Sequence, residues 1–129
     1  MKLKVFLWLI ISIIPLHLSA QNLEKDIVKA FEVGKAEILL PHLSEEVAVS
    51  IIDQKLKTNK EEAIKKIAQF LESIQIVSFK MKHTSTREES GYMIGSLQTT
   101  QTRYRINCFY KKETNIFYIH QIRIDKTNE

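Results

Sequence analysis

From Leu23 onward the apolar positions fall at helical spacing. Leu23, Ile27, Ala30, Phe31 and Gly34 recur three or four apart, with Glu24, Lys25, Lys29 and Glu32 on the other side. Asn22 is placed to cap this helix and Gly34 to end it. Lys35 to Leu40 read as a short second helix stopped by Pro41. Glu46 to Ile52 alternate with β-branched residues and read as a strand. A third helix opens at Thr58 or Asn59, each with a glutamate three residues on, Glu61 or Glu62. Ile64, Ile67, Ala68, Leu71 and Ile74 form its apolar stripe, and Lys65, Lys66, Gln69 and Glu72 face water.

After Ser73 the period becomes two. Gln75 to Thr84, Tyr92 to Gln98, Arg103 to Lys111 and Ile116 to Ile124 read as four strands. The polar breaks between them are too short for parallel crossovers and suit antiparallel hairpins. The predicted order is helix, helix, strand, helix, then a four-strand meander. Segregated helices and strands of this kind make an α+β domain, with N-terminal helices packed on an antiparallel sheet.

Strict alternation divides the meander into two faces. The first carries Val77, Phe79, Met81 and His83; Tyr92, Ile94 and Ser96; Tyr104, Ile106, Cys108 and Tyr110; and Ile116, Tyr118, His120, Ile122 and Ile124. It is the more apolar face and is expected under the helices, so an aspartate at Ile94 or Ile106 should destabilise strongly. The second carries Met93, Leu97, Phe109, Phe117 and Ile119, flanked by Lys80, Lys82, Arg103, Arg105 and Arg123. This assignment supposes that no bulge shifts the alternation.

The first twenty residues follow a different pattern. Met1 is followed by Lys2 and Lys4, an apolar run from Val5 to Ile14, Pro15, and Leu18-Ser19-Ala20. A short basic start, an apolar core and small exit residues make a secretory signal peptide, residues 1–20, with cleavage at Ala20–Gln21. The run is too short to span a bilayer, so no stable membrane anchor is expected after cleavage. Residues 21–129 are then one α+β domain, exported to the periplasm or beyond. The chain has 19 basic residues, Lys2 and Lys4 among them, against 15 acidic, so the mature charge is only about +2. That is too small to argue for nucleic acid. One cysteine, Cys108, rules out an intramolecular disulfide and multi-cysteine metal sites.

The chain lacks a phosphate loop, a dinucleotide fingerprint, a nucleophile elbow and a His-Glu-x-x-His helix. His42, His83 and His120 lack ligand spacing, so no metal and no cofactor are expected. At one end of the first face, His83, Tyr92, Tyr110 and Tyr118 should gather, with Cys108 and His120 one pair deeper. These polar-tipped rings either rim a small pocket for a small apolar ligand or fill the wide end of the core with their tips in water. A Cys108–His120 cross-strand pair would imitate a thiol–imidazole dyad, although buried cysteine usually behaves as a small hydrophobe. On the second face, Met93, Leu97, Phe109, Phe117 and Ile119 should form one apolar strip, the anatomy of an interaction surface. A homodimer is the first partner expected there and another envelope protein the second, unless the lysine and arginine stems cover the strip.

Several segments carry a family resemblance. They are Ala63 and Phe70-Leu71, Phe79 and His83, Gly91 to Thr99, Tyr104-Arg105, and Ile119 to Asp125. With these the chain resembles a family of small secreted Bacteroidota proteins of unknown function with a cone-shaped nuclear transport factor 2-like fold. The Tyr-x-Ile-Gly-x-Leu-x-Thr segment, Tyr92 to Thr99, is its most specific piece. The family's glycine two residues beyond the strand-end histidine is Ser85 here, which implies a different turn. The resemblance implies a fold and a compartment, and neither an activity nor catalytic residues. Two functions stay open: a non-catalytic binding domain, or a small-pocket isomerase or dehydratase. An imidazole of His83 or His120 within reach of a carboxylate in an open cavity would favour the second.

Overall fold

Helix α1 spans His17–Val33 in the computed structural model, which describes residues 17–127. Residues 1–16 of the expected leader lie outside the described residues. Leu23, Ile27, Ala30 and Phe31 are buried, as their spacing requires. Gly34 ends the helix at φ +72°, and the Lys35 N–H reaches back to the Ala30 carbonyl at 2.9 Å. That pattern is a Schellman closure, which needs the left-handed residue that glycine supplies without a Cβ clash. Asn22 lies inside the helix and not at its start, correcting the predicted cap. The next segment, Ala36–His42, is a 3₁₀ helix that contains Pro41 instead of stopping before it. Its buried residues, Ala36 and Leu39, are three apart and so share one face of a three-residue turn.

Helix α2 (Lys60–Glu72) starts where the sequence places it. Asn59 caps it by accepting the Glu62 N–H on Oδ1 at 2.8 Å. Ala63, Ile64, Ile67, Phe70 and Leu71 form its buried stripe.

Six strands make one sheet: β1 (Leu43–Ile51), β2 (Gln54–Asn59), β3 (Ile76–Thr86), β4 (Ser90–Thr99), β5 (Arg103–Glu113) and β6 (Ile116–Thr127). The spatial order is β2-β1-β6-β5-β4-β3. Only β1 against β6 is parallel; the other neighbours are antiparallel. The sheet is thus larger than the predicted meander. Strand β2, Gln-Lys-Leu-Lys-Thr-Asn, was not expected, because it has no buried side chain to give it a period. It is an edge strand, held by backbone pairing to β1 and blunted by Lys55 and Lys57. Thr114 and Asn115, both at positive φ, make the tight β5–β6 turn. The β3–β4 turn falls at Arg87–Glu89, so Ser85 sits within β3 opposite Tyr92 and makes no turn of its own.

Bulges break the alternation that the sequence reading supposed absent. Val77 and Lys82 have no partner on β4, and His120 has none on β5, where Phe109 faces Gln121 and Tyr110 faces Ile119. The His120 bulge turns Phe117 and Ile119 to the same side as Ile122 and Ile124. Strand β4 is reversed relative to the expectation. Met93, Gly95, Leu97 and Thr99 are buried, opposite Cys108, Ile106, Tyr104 and the neighbouring turn, while Tyr92, Ile94 and Ser96 turn outward. Gly95 is on the covered side for a packing reason: a Cβ there would meet the Phe79 ring at 2.2 Å.

Candidate functional site

One transverse row crosses the sheet face turned away from the helices. Ser85 (β3) pairs with Tyr92 (β4), Tyr92 with Phe109 (β5), Phe109 with Gln121 (β6), Gln121 with Ala48 (β1), and Ala48 with Lys57 (β2). Directly opposed residues of neighbouring strands point to the same side. All six line one open cavity of about 750 Å³. Among the described residues, none from a helix contributes to its wall. The rings of Tyr92 and Phe109 lie 6.3 Å apart, and His83 packs on the far side of Tyr92 at 5.5 Å.

The two ends of this groove differ electrostatically. At the β1–β2 end, Lys57 pairs with Glu46 at 3.4 Å, and both line the cavity. At the β3–β4 end, Arg87 and Lys111 line it with Ser90 between them. The Arg87 N–H donates to the Ser90 carbonyl at 2.8 Å, and Ser90 faces Lys111 across β4 and β5. Neither cation has an ion-pair partner among the described residues, although the exposed carboxylates of Glu88 and Glu89 share the turn. His120 borders the groove because the bulge leaves it unpaired in the ladder. Its Nε2 lies 3.2 Å from Glu113 Oε2, close enough for an ion pair but not aligned as a hydrogen bond, and the nitrogen itself is shielded from solvent.

Behind the groove, Tyr110 passes through the sheet's covered side. A Cβ on Gly91 would meet its ring at 2.3 Å, so only glycine lets the ring lie there. The phenol donates to Glu24 Oε1 of α1 at 2.8 Å, and Thr84 and Thr86 donate to the same oxygen at 2.8 and 3.3 Å. Burial, which disfavours the phenolate, raises the Tyr110 hydroxyl to about 12, and the neighbouring Glu24 charge adds to this against the hydrogen bonds from Thr86 and Thr84. The arrangement is a clasp between α1 and the β3 edge. A second clasp joins α1 to the 3₁₀ segment, with His42 Nε2 2.6 Å from Asp26 Oδ2. Both escaped the sequence reading, which set Glu24 on the solvent side of the helix and did not single out Asp26 or His42 as partners.

The predicted candidates divide. Tyr92, Tyr110 and His120 do line one cavity, though from both faces and a bulge and not from one face. His83 is exposed beside Tyr92, and Tyr118 lies opposite Lys111; neither lines the cavity. The expected exposed strip is not formed. Met93, Leu97, Phe117 and Ile119 are in the core, because the β4 phase and the His120 bulge turn them inward. Only Phe109, 39% exposed, stays on the open face. The Cys108–His120 dyad is also absent: Cys108 faces Ile122, is fully buried, and burial pushes its thiol up to about 12. The cationic flank is real in part, since Arg103 donates to Gln98 and Arg123 to Asp125. No cluster of three or more metal-ligating side chains occurs among the described residues. Nor is any described helix long and apolar enough to cross a membrane. The groove could have been found from sequence only with the bulges and the reversed phase of β4 both known, since each moves residues to the other face.

The comparisons bear on fold and family. The family model for a domain of unknown function, DUF4783, matches residues 24–125. A DUF4783 family crystal structure from Bacteroides uniformis is 36% identical, covering 81% of this chain and 97% of that one, with a TM-score of 0.77. One from Bacteroides ovatus is 34% identical, covering 80% and 94%, with a TM-score of 0.75. An NTF2-like protein of unknown function from Silicibacter pomeroyi is 9% identical, covering 85% and 94%, at a TM-score of 0.59, which shows likeness of fold alone. No curated protein matches.

Proposed function

The chain belongs to the DUF4783 family and has the nuclear transport factor 2-like α+β fold, and from that premise we propose that it is an exported binding domain that takes a small ligand on the open face of its sheet. The observation that carries this reading is the transverse row: six strands each lend one side chain to a single groove. An apolar floor with a few polar groups at the rim is the usual composition of a ligand site. Binding of aromatic and aliphatic fragments, followed by protein-observed NMR, tests it. Resonances of Tyr92, Phe109 and Gln121 should move, and Phe109→Glu should abolish the shifts. Fragments that perturb only other surfaces would remove the groove from consideration. A second copy of the chain, or another envelope protein, is the competing occupant of this face. Light scattering across concentration distinguishes these: a dimer that Phe109→Glu dissociates would replace the small-ligand reading.

The isomerase or dehydratase reading keeps one specific support, the approach of His120 to Glu113 at the groove margin. An imidazole with a carboxylate at 3.2 Å is the start of a general-base arrangement. Its test is a screen for isomerase and dehydratase turnover of small carbonyl substrates by wild type and Glu113→Gln. Turnover that the variant loses would strengthen this reading, and no turnover, or equal turnover in both, would take away its support.

Export belongs to the same proposal. Cleavage at Ala20–Gln21 would cut within α1 and remove the buried Ala20, leaving Asn22 near the new start, where its side chain can serve as a cap. A mature mass that retains residues 1–20 would overturn this part.

A further inference from the structure

Resting on the groove reading, we propose that the ligand is a small anionic amphiphile: an aromatic or aliphatic body carrying one carboxylate or a like anion. The floor sets the body. Tyr92 and Phe109 present two neighbouring rings, continued by Ala48 and the Gln121 stem, a surface that dehydrates an apolar group without demanding hydrogen bonds. The two ends set the charge. At one end Lys57 is already neutralised by Glu46. At the other, Arg87 and Lys111 share the wall with Ser90 and have no carboxylate partner among the described residues. Two uncompensated cations beside a partly enclosed apolar wall lower the energy of an anion there and raise that of a cation. Arg87 adds a planar fork that matches a carboxylate, and the Ser90 hydroxyl a further donor. The ligand's polarity is thereby fixed along the groove, with its anion toward the β3–β4 turn and its body across β5 and β6. Among the described lining residues the one carboxylate is Glu46, which Lys57 already holds, so a cationic group within the groove would have to displace that pair, whereas an anion finds free donors. The exposed Glu88 and Glu89 beside the turn oppose this field, and Arg87→Gln with Lys111→Gln would leave them dominant.

The test uses one apolar body with three heads: phenylbutyrate, phenylbutanol and phenylbutylamine, titrated into the full chain without residues 1–20 at low salt. The acid should bind about tenfold more tightly than the alcohol, the discrimination that one charge-assisted hydrogen bond supplies, and the amine should bind weakest. In Arg87→Gln/Lys111→Gln the acid should fall to the affinity of the alcohol or below it, since Glu88 and Glu89 then set the local field, with alcohol binding unchanged. Phe109→Ala should weaken all three alike. Equal binding of acid and alcohol in the wild type, or a preference that survives the double variant, would overturn the anionic assignment while leaving the groove intact. Failure of all three to shift Tyr92, Phe109 and Gln121 would overturn both.

Discussion

The two faces of the sheet are built from the same six strands and differ in almost everything else. The covered face is nearly all aliphatic and aromatic, with Met93, Leu97, Ile106, Ile119, Ile122 and Ile124 fully buried. The open face mixes Tyr92, Phe109 and Ile94 with arginines, a glutamine and serines. The first is shaped by the need to remove apolar surface from water, at about 1.5–3 kcal/mol for each large side chain. The second has no such requirement, so its composition is free to answer to a ligand. Residues on the two faces alternate along each strand, so a single position moved by one changes which of these demands it meets.

The largest break in the comparison comes from placing one charge on each face. Ile106→Asp should cost about 3–5 kcal/mol, because a buried carboxylate must be desolvated or protonated. Ile94→Asp, on the open face, should cost less than about 1 kcal/mol. This corrects the sequence expectation that the two behave alike, and denaturant midpoints of the pair check it. Next is Gly95→Ala. In a strand the change ordinarily helps, but here the new methyl meets the Phe79 ring, and overpacking should cost about 1–3 kcal/mol, read as a lowered Tm.

Tyr110→Phe tests the clasp beneath the groove. It should cost about 1 kcal/mol at neutral pH, the worth of an ordinary hydrogen bond to stability. It should also flatten an alkaline slope. The Tyr110 hydroxyl is raised in the folded protein, to about 12. Its contribution is therefore complete below the ordinary tyrosine value of about 10 and is lost as pH rises toward 12. Cys108 is shifted in the same direction, so the slope should shrink and not vanish. Unfolding midpoints between pH 9 and pH 12 would show whether the variant and wild type converge. Smallest in stability is Phe109→Glu, expected within about 0.5 kcal/mol while removing groove binding. A large loss of stability there would mean that Phe109 belongs with the covered face.

The helices, with the ends at Gly34 and Asn59, were legible because local chemistry settles them, whereas the start of α1 and the stop at Pro41 were not. Asn59 and Gly34 act as the sequence places them, and Ile64, Ile67 and Leu71 of the expected α2 stripe are buried, joined by Ala63 and Phe70, while Ala68 is only partly buried and Ile74 lies beyond the helix. Strand β5 was also read in the right phase, since it carries no bulge and its Tyr104, Ile106, Cys108 and Tyr110 are all buried. Strand β2 was missed because an edge strand with exposed lysines has backbone pairing but no burial pattern. The phase of β4 was missed for a different reason. Tyr92 and Ile94 are larger than Gly91 and Gly95, and size suggested the inward side. The glycines in fact face inward because Tyr110 and Phe79 already fill the space beside them. That fact depends on neighbours from other strands. The candidate site suffered most, because two bulges and one reversed strand regrouped its members. Tyr92, Tyr110 and His120 stayed together at the same end of the sheet, the property that hairpin order alone determines.

The His120 bulge makes deletion at one position and insertion elsewhere in the strand very different events. Another side chain at 120 keeps the extra residue, and with it both halves of β6 keep their phase. Deleting the residue leaves Ile119 and Ile122 two positions apart, so strict alternation then turns Phe117, Ile119, Ile122 and Ile124 to the core together, with Gln121 still on the open face. The apolar phase of β6 therefore survives the loss of residue 120, and what goes is the side chain at the groove margin together with the local twist that the bulge gives. The costly event is the opposite one: a residue added elsewhere in β6 and not taken up as a second bulge would turn one of the two apolar pairs to solvent in a strand held between β1 and β5. The extra residue is thus an ornament on the open face that the covered face does not need.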